Sequence, residues 1–321
     1  MTRGHYFRVR KIIFLGLVLI FTLSASGVWE THRANAQPSG QEEGEPIKVK
    51  VGAYVLNVGR LDTATGSYTI DFYLSFSCDQ PCSPGLFEFS NGRATSIDKS
   101  VDEPTEKFYR IQAALNTSLD LADYPFDRHK LIIKLEDKEQ TSQTQAYEVS
   151  LADSGLDPAV DVVGWAIDGW SASVDDHYYE PYGTSFSQYS FAIEIHRSRL
   201  AAVLKSFLPA LVIVFVGMLA LVLSPDKIIP RLTLTTGSFT SAVLFHLNLT
   251  SSIPPVGYLT FADRFMIFNY VTLAMVLAST LMALYYVDKK RPEAAQRVHH
   301  AALAAVPLVW LMLHALNFLL L

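Results

Sequence analysis

The side chains with the clearest chemical consequence in this chain are hydroxyls, set where a membrane helix would ordinarily carry hydrocarbon. Residues 231–251 are rich in Thr and Ser, and apolar segments flank them at 204–223, 265–287 and 301–321. Lipid offers a hydroxyl no partner, so a helix of this polarity must turn those groups to protein or to water. At roughly 100° per residue, Thr233, Gly237, Thr240, Leu244, Leu247 and Ser251 fall in one narrow stripe. The stripe is small and polar at one end and bulky and apolar further along. Its chemistry is non-covalent: a wet, narrow passage with an apolar constriction that excludes water. A packed internal helix whose hydroxyls bond back to their own carbonyls has the same composition.

Other reactive residue types are sparse. The only two cysteines, Cys78 and Cys82, flank Asp79-Gln80-Pro81. In an oxidising exterior they can close a small disulfide ring. Free thiols are one alternative and zinc another, although no histidine or second cysteine pair stands nearby to complete four ligands. No nucleophile motif or metal-ligand spacing appears, so neither an enzyme nor a metal or cofactor site is expected. His246 sits on the back of the hydroxyl-rich helix, as a neutral ring bonded to a neighbour or as a proton sensor. His299 and His300 read as interfacial residues at the start of the last helix.

The elements that must position these groups follow from composition. The 321 residues are 50% hydrophobic and 18% charged, and the polar residues concentrate before residue 196. That division suits a chain that is part soluble and part membrane. The net charge of −5 gives no sign of a nucleic-acid partner. Arg3, Arg8, Arg10 and Lys11 precede a short apolar run, and Ala34 and Ala36 supply a small-residue cleavage site. Residues 1–36 therefore read as an export signal, with an uncleaved anchor as the alternative.

Residues 37–199 read as an all-β domain. Strands are expected at 48–57, 68–76, 109–115, 129–135, 146–151, 166–173 and 189–195, separated by polar turns, which suggests a sandwich of two sheets. Residues 200–321 resolve into four helices, at about 200–223, 230–251, 260–287 and 298–321. The basic link 288–297 carries Lys289, Lys290, Arg291 and Arg297, which puts it in the cytoplasm and the β domain outside.

Several motifs in a fixed order resemble those of the pentameric ligand-gated ion channels, the Cys-loop receptors, in their bacterial form. Asp123-Tyr124-Pro125-Phe126-Asp127 is similar to the family's signature loop. Arg197 and Pro209 keep the family's offset between the pre-membrane arginine and the first-helix proline. Arg231 and Ile253-Pro254 bracket the second helix, and residues 258–263 open the third in a similar way. The resemblance spans nearly the whole mature chain. It implies an immunoglobulin-like sandwich above a four-helix transmembrane domain, in a homopentamer around a pore lined by the second helix. It also implies a bacterial inner-membrane site, with the β domain in the periplasm. The implied partners are four further copies, the lipid bilayer, permeant inorganic ions and a small-molecule or proton agonist.

The same resemblance assigns roles to individual residues. Asp62, Asp127 and Arg197 are expected to converge where the two domains meet, two carboxylates around one guanidinium. Tyr124, Pro125, Phe126, Pro254 and Pro255 are expected to carry movement to the pore. Residues 177–187, with Tyr178, Tyr179, Tyr182 and Phe186, correspond to the flap over the family's agonist site, where aromatic faces can hold a cation or merely pack. Two departures stand out: the cysteines of the signature loop are absent, with Leu131 at the second position, and the stretch 78–108 is shorter than usual. Pro230 before Arg231 resembles anion-selective members, yet Asp226 can supply an inner negative ring, so the ion stays open. A membrane-anchored periplasmic sensor that signals through a separate partner is a second reading, and an exported enzyme, which scattered His129, Asp127 and Cys78 suggest only weakly, is a third.

Overall fold

The computed structural model describes residues 45–82, 84–251 and 253–319. The expected export signal at 1–36 lies outside the described residues. The β domain holds ten strands: β1 (Ile47–Val58), β2 (Ser67–Cys78), β3 (Phe87–Phe89), β4 (Gly92–Asp102), β5 (Glu106–Asn116), β6 (Arg128–Asp137), β7 (Gln145–Val149), β8 (Gly155–Leu156), β9 (Trp165–Tyr179) and β10 (Thr184–Arg197). One sheet runs β4-β5-β2-β1-β7, with β8 also on β1, and the other runs β3-β6-β10-β9. Strict alternation builds the core between them. On β2, Tyr68, Ile70, Phe72, Leu74 and Phe76 are buried, and β6 and β10 answer with Leu131, Ile133, Leu135, Phe191 and Ile193.

The sequence reading omitted β3, β4 and β8. Strand β4 is an edge strand whose side chains are almost all wet, so no buried face imprints a period of two on its sequence. β9 and β10 extend beyond the expected spans and pair as a hairpin from Trp165↔Arg197 to Tyr179↔Thr184. At its tip Gly183 takes φ 63°, where a side chain would be strained.

Four helices follow: α1 (Arg199–Leu221), α2 (Ile228–Thr250), α3 (Phe261–Asp288) and α4 (Pro292–Leu319). α1, α3 and α4 are each long and apolar enough to cross a membrane. α1 widens to a π-turn at Val203–Phe207, immediately before Pro209, which has no N–H to continue the regular ladder. α3 opens on a capping box: Thr260 Oγ1 accepts from the Asp263 amide at 3.1 Å, and Asp263 Oδ2 accepts from the Thr260 amide at 2.9 Å. α4 begins at Pro292 instead of near 298. Proline suits a first turn and Glu293 favours the positive end of the helix, so the basic link shortens to Lys289–Arg291.

α2 packs its back face on α1 and α3, while α4 lies against α3. α1, α2 and α3 meet at Gly217, where an added Cβ would collide with the end of the Leu273 side chain and press on Ser238. Gly237, on α2, has nothing within 4 Å of the same position. Gly217→Val is therefore expected to cost about 1–3 kcal/mol through overpacking, and Gly237→Ala to leave stability unchanged or slightly raised. Thermal unfolding of the purified protein in mild detergent checks the pair, and equal effects at both positions would contradict the packing described.

Candidate functional site

α2 divides cleanly into two faces. Arg231, Thr235, Ser238, Ala242 and Leu249 are buried against the neighbouring helices. Thr233, Gly237, Thr240, Leu244, Leu247 and Ser251 are all exposed, Leu244 and Leu247 at 62% and 63%. Both sequence alternatives hold part of the truth. Thr233 and Thr236 donate to the carbonyls of Ile229 and Leu232 at 3.0 and 2.7 Å, yet their side chains stay on the open face. A hydroxyl that donates to its own helix keeps its lone pairs for water. At 23 residues and about 1.5 Å each, α2 is as long as the roughly 30 Å of a hydrocarbon core.

The back of α2 is pinned to α3 near its C-terminal end. His246 stands 2.9 Å from Asp263 Oδ1 through Nε2, and 2.9 Å from the Tyr270 hydroxyl through Nδ1. Asp263 is the residue that also caps α3, so one carboxylate fixes both the start of α3 and its grip on α2.

Where the β domain meets the helices, Asp127 is the centre. Its carboxylate is fully buried; Oδ1 accepts from Arg197 Nε at 2.8 Å, and Oδ2 lies 2.6 Å from His129 Nε2. The guanidinium of Arg197 lies over the Trp165 ring at 4.3 Å and the Tyr124 ring at 5.2 Å. Asp62 does not join this cluster, contrary to expectation. It stays in the β1–β2 turn, where its carboxylate accepts from the Ala64 amide at 2.9 Å and the Thr65 hydroxyl at 3.0 Å. Those bonds, Ala64 first, hold its carboxyl below the usual carboxylate range. A short turn satisfies its own aspartate locally, which leaves no reason for the side chain to reach across. Arg197 thus has one carboxylate and two aromatic faces as partners, not two carboxylates.

The signature loop is joined to α3 through main chain. The amides of Phe261 and Ala262 donate to the carbonyls of Ala122 and Tyr124 at 2.7 and 3.0 Å. Phe126 stacks on Phe207 of α1 at 5.6 Å and meets Phe261 edge-on at 5.6 Å. The peptide between Tyr124 and Pro125 is cis. In the link before α3, Pro254 is half-buried and Pro255 exposed, beside the buried Ile253. A groove of about 460 Å³ runs between these parts, bordered by Pro125, Arg197, Lys205, Asn248 and Ser251.

A larger cleft of about 910 Å³ lies across β6, β9 and β10. Its floor includes residues around a buried carboxylate, Glu136, which His177 Nδ1 approaches at 2.6 Å and the Tyr179 hydroxyl at 2.9 Å, with Gln188 Nε2 also donating. Desolvation, and then the bond to Glu136, push the Tyr179 hydroxyl up to about 12. Of the four flap aromatics only Tyr179 lines this cleft. Phe186 packs edge-on against it at 5.7 Å, and Tyr178 and Tyr182 point outward, 58% and 77% exposed.

Cys78 and Cys82 are bonded to each other in the structure. The sequence reading did not find Trp165, Glu136 or Gln188, and it noted His129 beside Asp127 only as weak support for an enzyme, not as part of this cluster. His129 was within reach, because it stands two residues after Asp127 and alternation gives both the same face. Trp165 meets Arg197 only through the register of a 15-residue strand against a 14-residue one, which no local signal encodes.

No protein-family model matches the chain. Over 294 residues, 84% of this chain and 81% of the other, it is 21% identical to a protein of Gloeobacter violaceus (strain ATCC 29082 / PCC 7421) described as a proton-gated ion channel. That match and the observed order of β sandwich and helices support the relationship that the motifs indicate.

Arg197→Ala would leave the Asp127 carboxylate buried without its cation, a loss of about 3–5 kcal/mol. Arg197→Lys should recover little, since an ammonium lacks the fork and the flat face that Trp165 and Tyr124 cover. Asp62→Ala should lose far less. Unfolding midpoints of the three variants check the cluster; an Asp62→Ala defect as large as that of Arg197→Ala would restore the original three-residue expectation.

Proposed function

We propose that this chain, a relative of the pentameric ligand-gated ion channels, is one subunit of a homopentameric channel in a bacterial inner membrane. The single observation that carries the proposal is the open face of α2. One helix cannot enclose water, and lipid has no donor for the lone pairs that the hydroxyls of that face keep free. Five copies around an axis turn all of the stripes inward, where Thr233, Gly237 and Thr240 meet water. Leu244 and Leu247 then form apolar rings that empty of water in the resting state. The apolar faces of α1, α3 and α4 meet lipid, and the β domain stands in the periplasm.

Gating follows the mechanical connections of the junction. A proton or a small molecule bound in the β domain shifts the signature loop, which is tied to α3 by two main-chain hydrogen bonds and to β10 by the Asp127–Arg197 pair. Pro254 and Pro255 stiffen the link that passes this shift to the outer end of α2. Proton activation, the property named for the Gloeobacter violaceus relative, suits a domain that pairs His129 with Asp127 and His177 with Glu136. The cleft lined by Tyr179, His177 and Gln188, the three partners of the buried Glu136 carboxylate, is the site proposed for a small cationic ligand, which an aromatic ring with a carboxylate close behind it favours. The mechanism is a two-state switch biased from a distant site.

Purified protein in mild detergent should have the mass of a pentamer, and in a planar bilayer it should carry ionic current. Leu244→Ser should raise the leak without agonist, because a hydroxyl at the constriction keeps the water column intact. A stable monomer that carries no current, or a Leu244→Ser variant with wild-type leak at equal insertion, would overturn the proposal.

A further inference from the structure

At the opposite end of α2 from the junction, a buried guanidinium lacks an acidic partner. Arg231 is 1% exposed, and no carboxylate lies within ion-pair distance of it among the described residues. Its Nη1 donates to the carbonyl of Leu223, just past the end of α1, at 3.3 Å, and approaches Nδ1 of His299 on α4 at 3.4 Å. Its Nε and Nη2 have no partner among the described residues. Arginine can only donate, so the Nδ1 of His299 must accept. The ring is therefore neutral, with its proton on Nε2. One side chain of α2 thus braces the inner end of that helix against both α1 and α4, and the brace holds only while His299 carries no charge.

Among the described residues, no carboxylate acts on His299 to absorb a second positive charge. The charged and titratable groups that act on it are Arg231 from α2 and His300 of its own helix, whose ring centre is 5.4 Å away. α1 and α3 bring apolar side chains to this part of the bundle, Ala220, Leu221 and Val276, against Ala302 and Val306 of α4. His299 is 7% exposed, but His300 beside it is open to solvent, next to the basic turn that the charge asymmetry assigns to the cytoplasm.

We propose that His299 is a proton-binding site at the inner end of α2, through which cytoplasmic acidification breaks the Arg231 brace and alters the channel's closed–open equilibrium. This input is separate from activation in the β domain, and it rests on the channel reading given above. Protonation removes the one acceptor that α4 offers Arg231 among the described residues and places a second cation against a buried one. α2 then loses its tie to α4 while the Leu223 carbonyl remains.

The test holds the outer solution constant at an activating condition and lowers the inner pH stepwise from about 8 to about 4, through and below the ordinary histidine range. Wild-type current should change about 5-fold or more, the lower end of ordinary allosteric coupling. His299→Gln keeps an acceptor for Arg231 and cannot titrate, so its current should not follow inner pH. His300→Gln should respond as the wild type does. A second measurement does not require conduction: in detergent, the unfolding temperature of wild type should fall on acidification more steeply than that of His299→Gln. A His299→Gln variant that tracks wild type in both measurements overturns the proposal. Absence of current together with the expected difference in unfolding would retain the proton site and reject the channel.

Discussion

The structure depends on a mismatch that α2 cannot resolve alone. Its length matches a bilayer, its back face is buried in its own bundle, and its front face carries hydroxyls that hydrocarbon cannot satisfy. Every other feature of the helical region can be read as a consequence. α1 and α3 cover the back of α2 closely enough that a side chain at 217 would displace Leu273. α4 is kept on the far side of α3, which leaves the front of α2 open. His246 and Arg231 fasten the two ends from behind, so that the open face holds its orientation without using any of its own side chains.

The connection between the domains is equally economical. A single buried carboxylate, Asp127, holds the last residue of β10 and a histidine of β6, and the loop that bears it bonds through its main chain to the first turn of α3. Main-chain bonds and a buried charge pair transmit displacement better than a flexible surface contact, because neither can slip without leaving polar groups unsatisfied. In the proposed channel this makes α3, instead of the exposed β1–β2 turn, the element most directly coupled to the β domain. The absence of Asp62 from the cluster among the described residues points the same way.

Much of the architecture was legible because burial imposes a period. β2, β6 and β10 alternate, and the apolar helices announce themselves by length. The stripe on α2 followed from angular arithmetic alone. What escaped the sequence lacked such a constraint. β4 is wet on both faces, and the start of α4 hides in a basic link until Pro292 is recognised as a first-turn residue. Pairings that depend on register or on helix packing, such as Trp165 with Arg197 and His299 with Arg231, are set by elements distant in sequence. Asp62 shows the reverse error: motif position suggested a long-range partner, whereas local turn chemistry had already satisfied the side chain.

The most direct measurement of the central claim is water access along α2. In a background without Cys78 and Cys82, single cysteines are introduced at 233, 235, 237, 240 and 242 and treated with a charged, membrane-impermeant thiol reagent while current is recorded. Modification and altered current are expected at 233, 237 and 240, with 235 and 242 inert, a pattern that follows the helical period. Reaction at 235 and 242 with silence at 233, 237 and 240 would place the opposite face of α2 in water and contradict it.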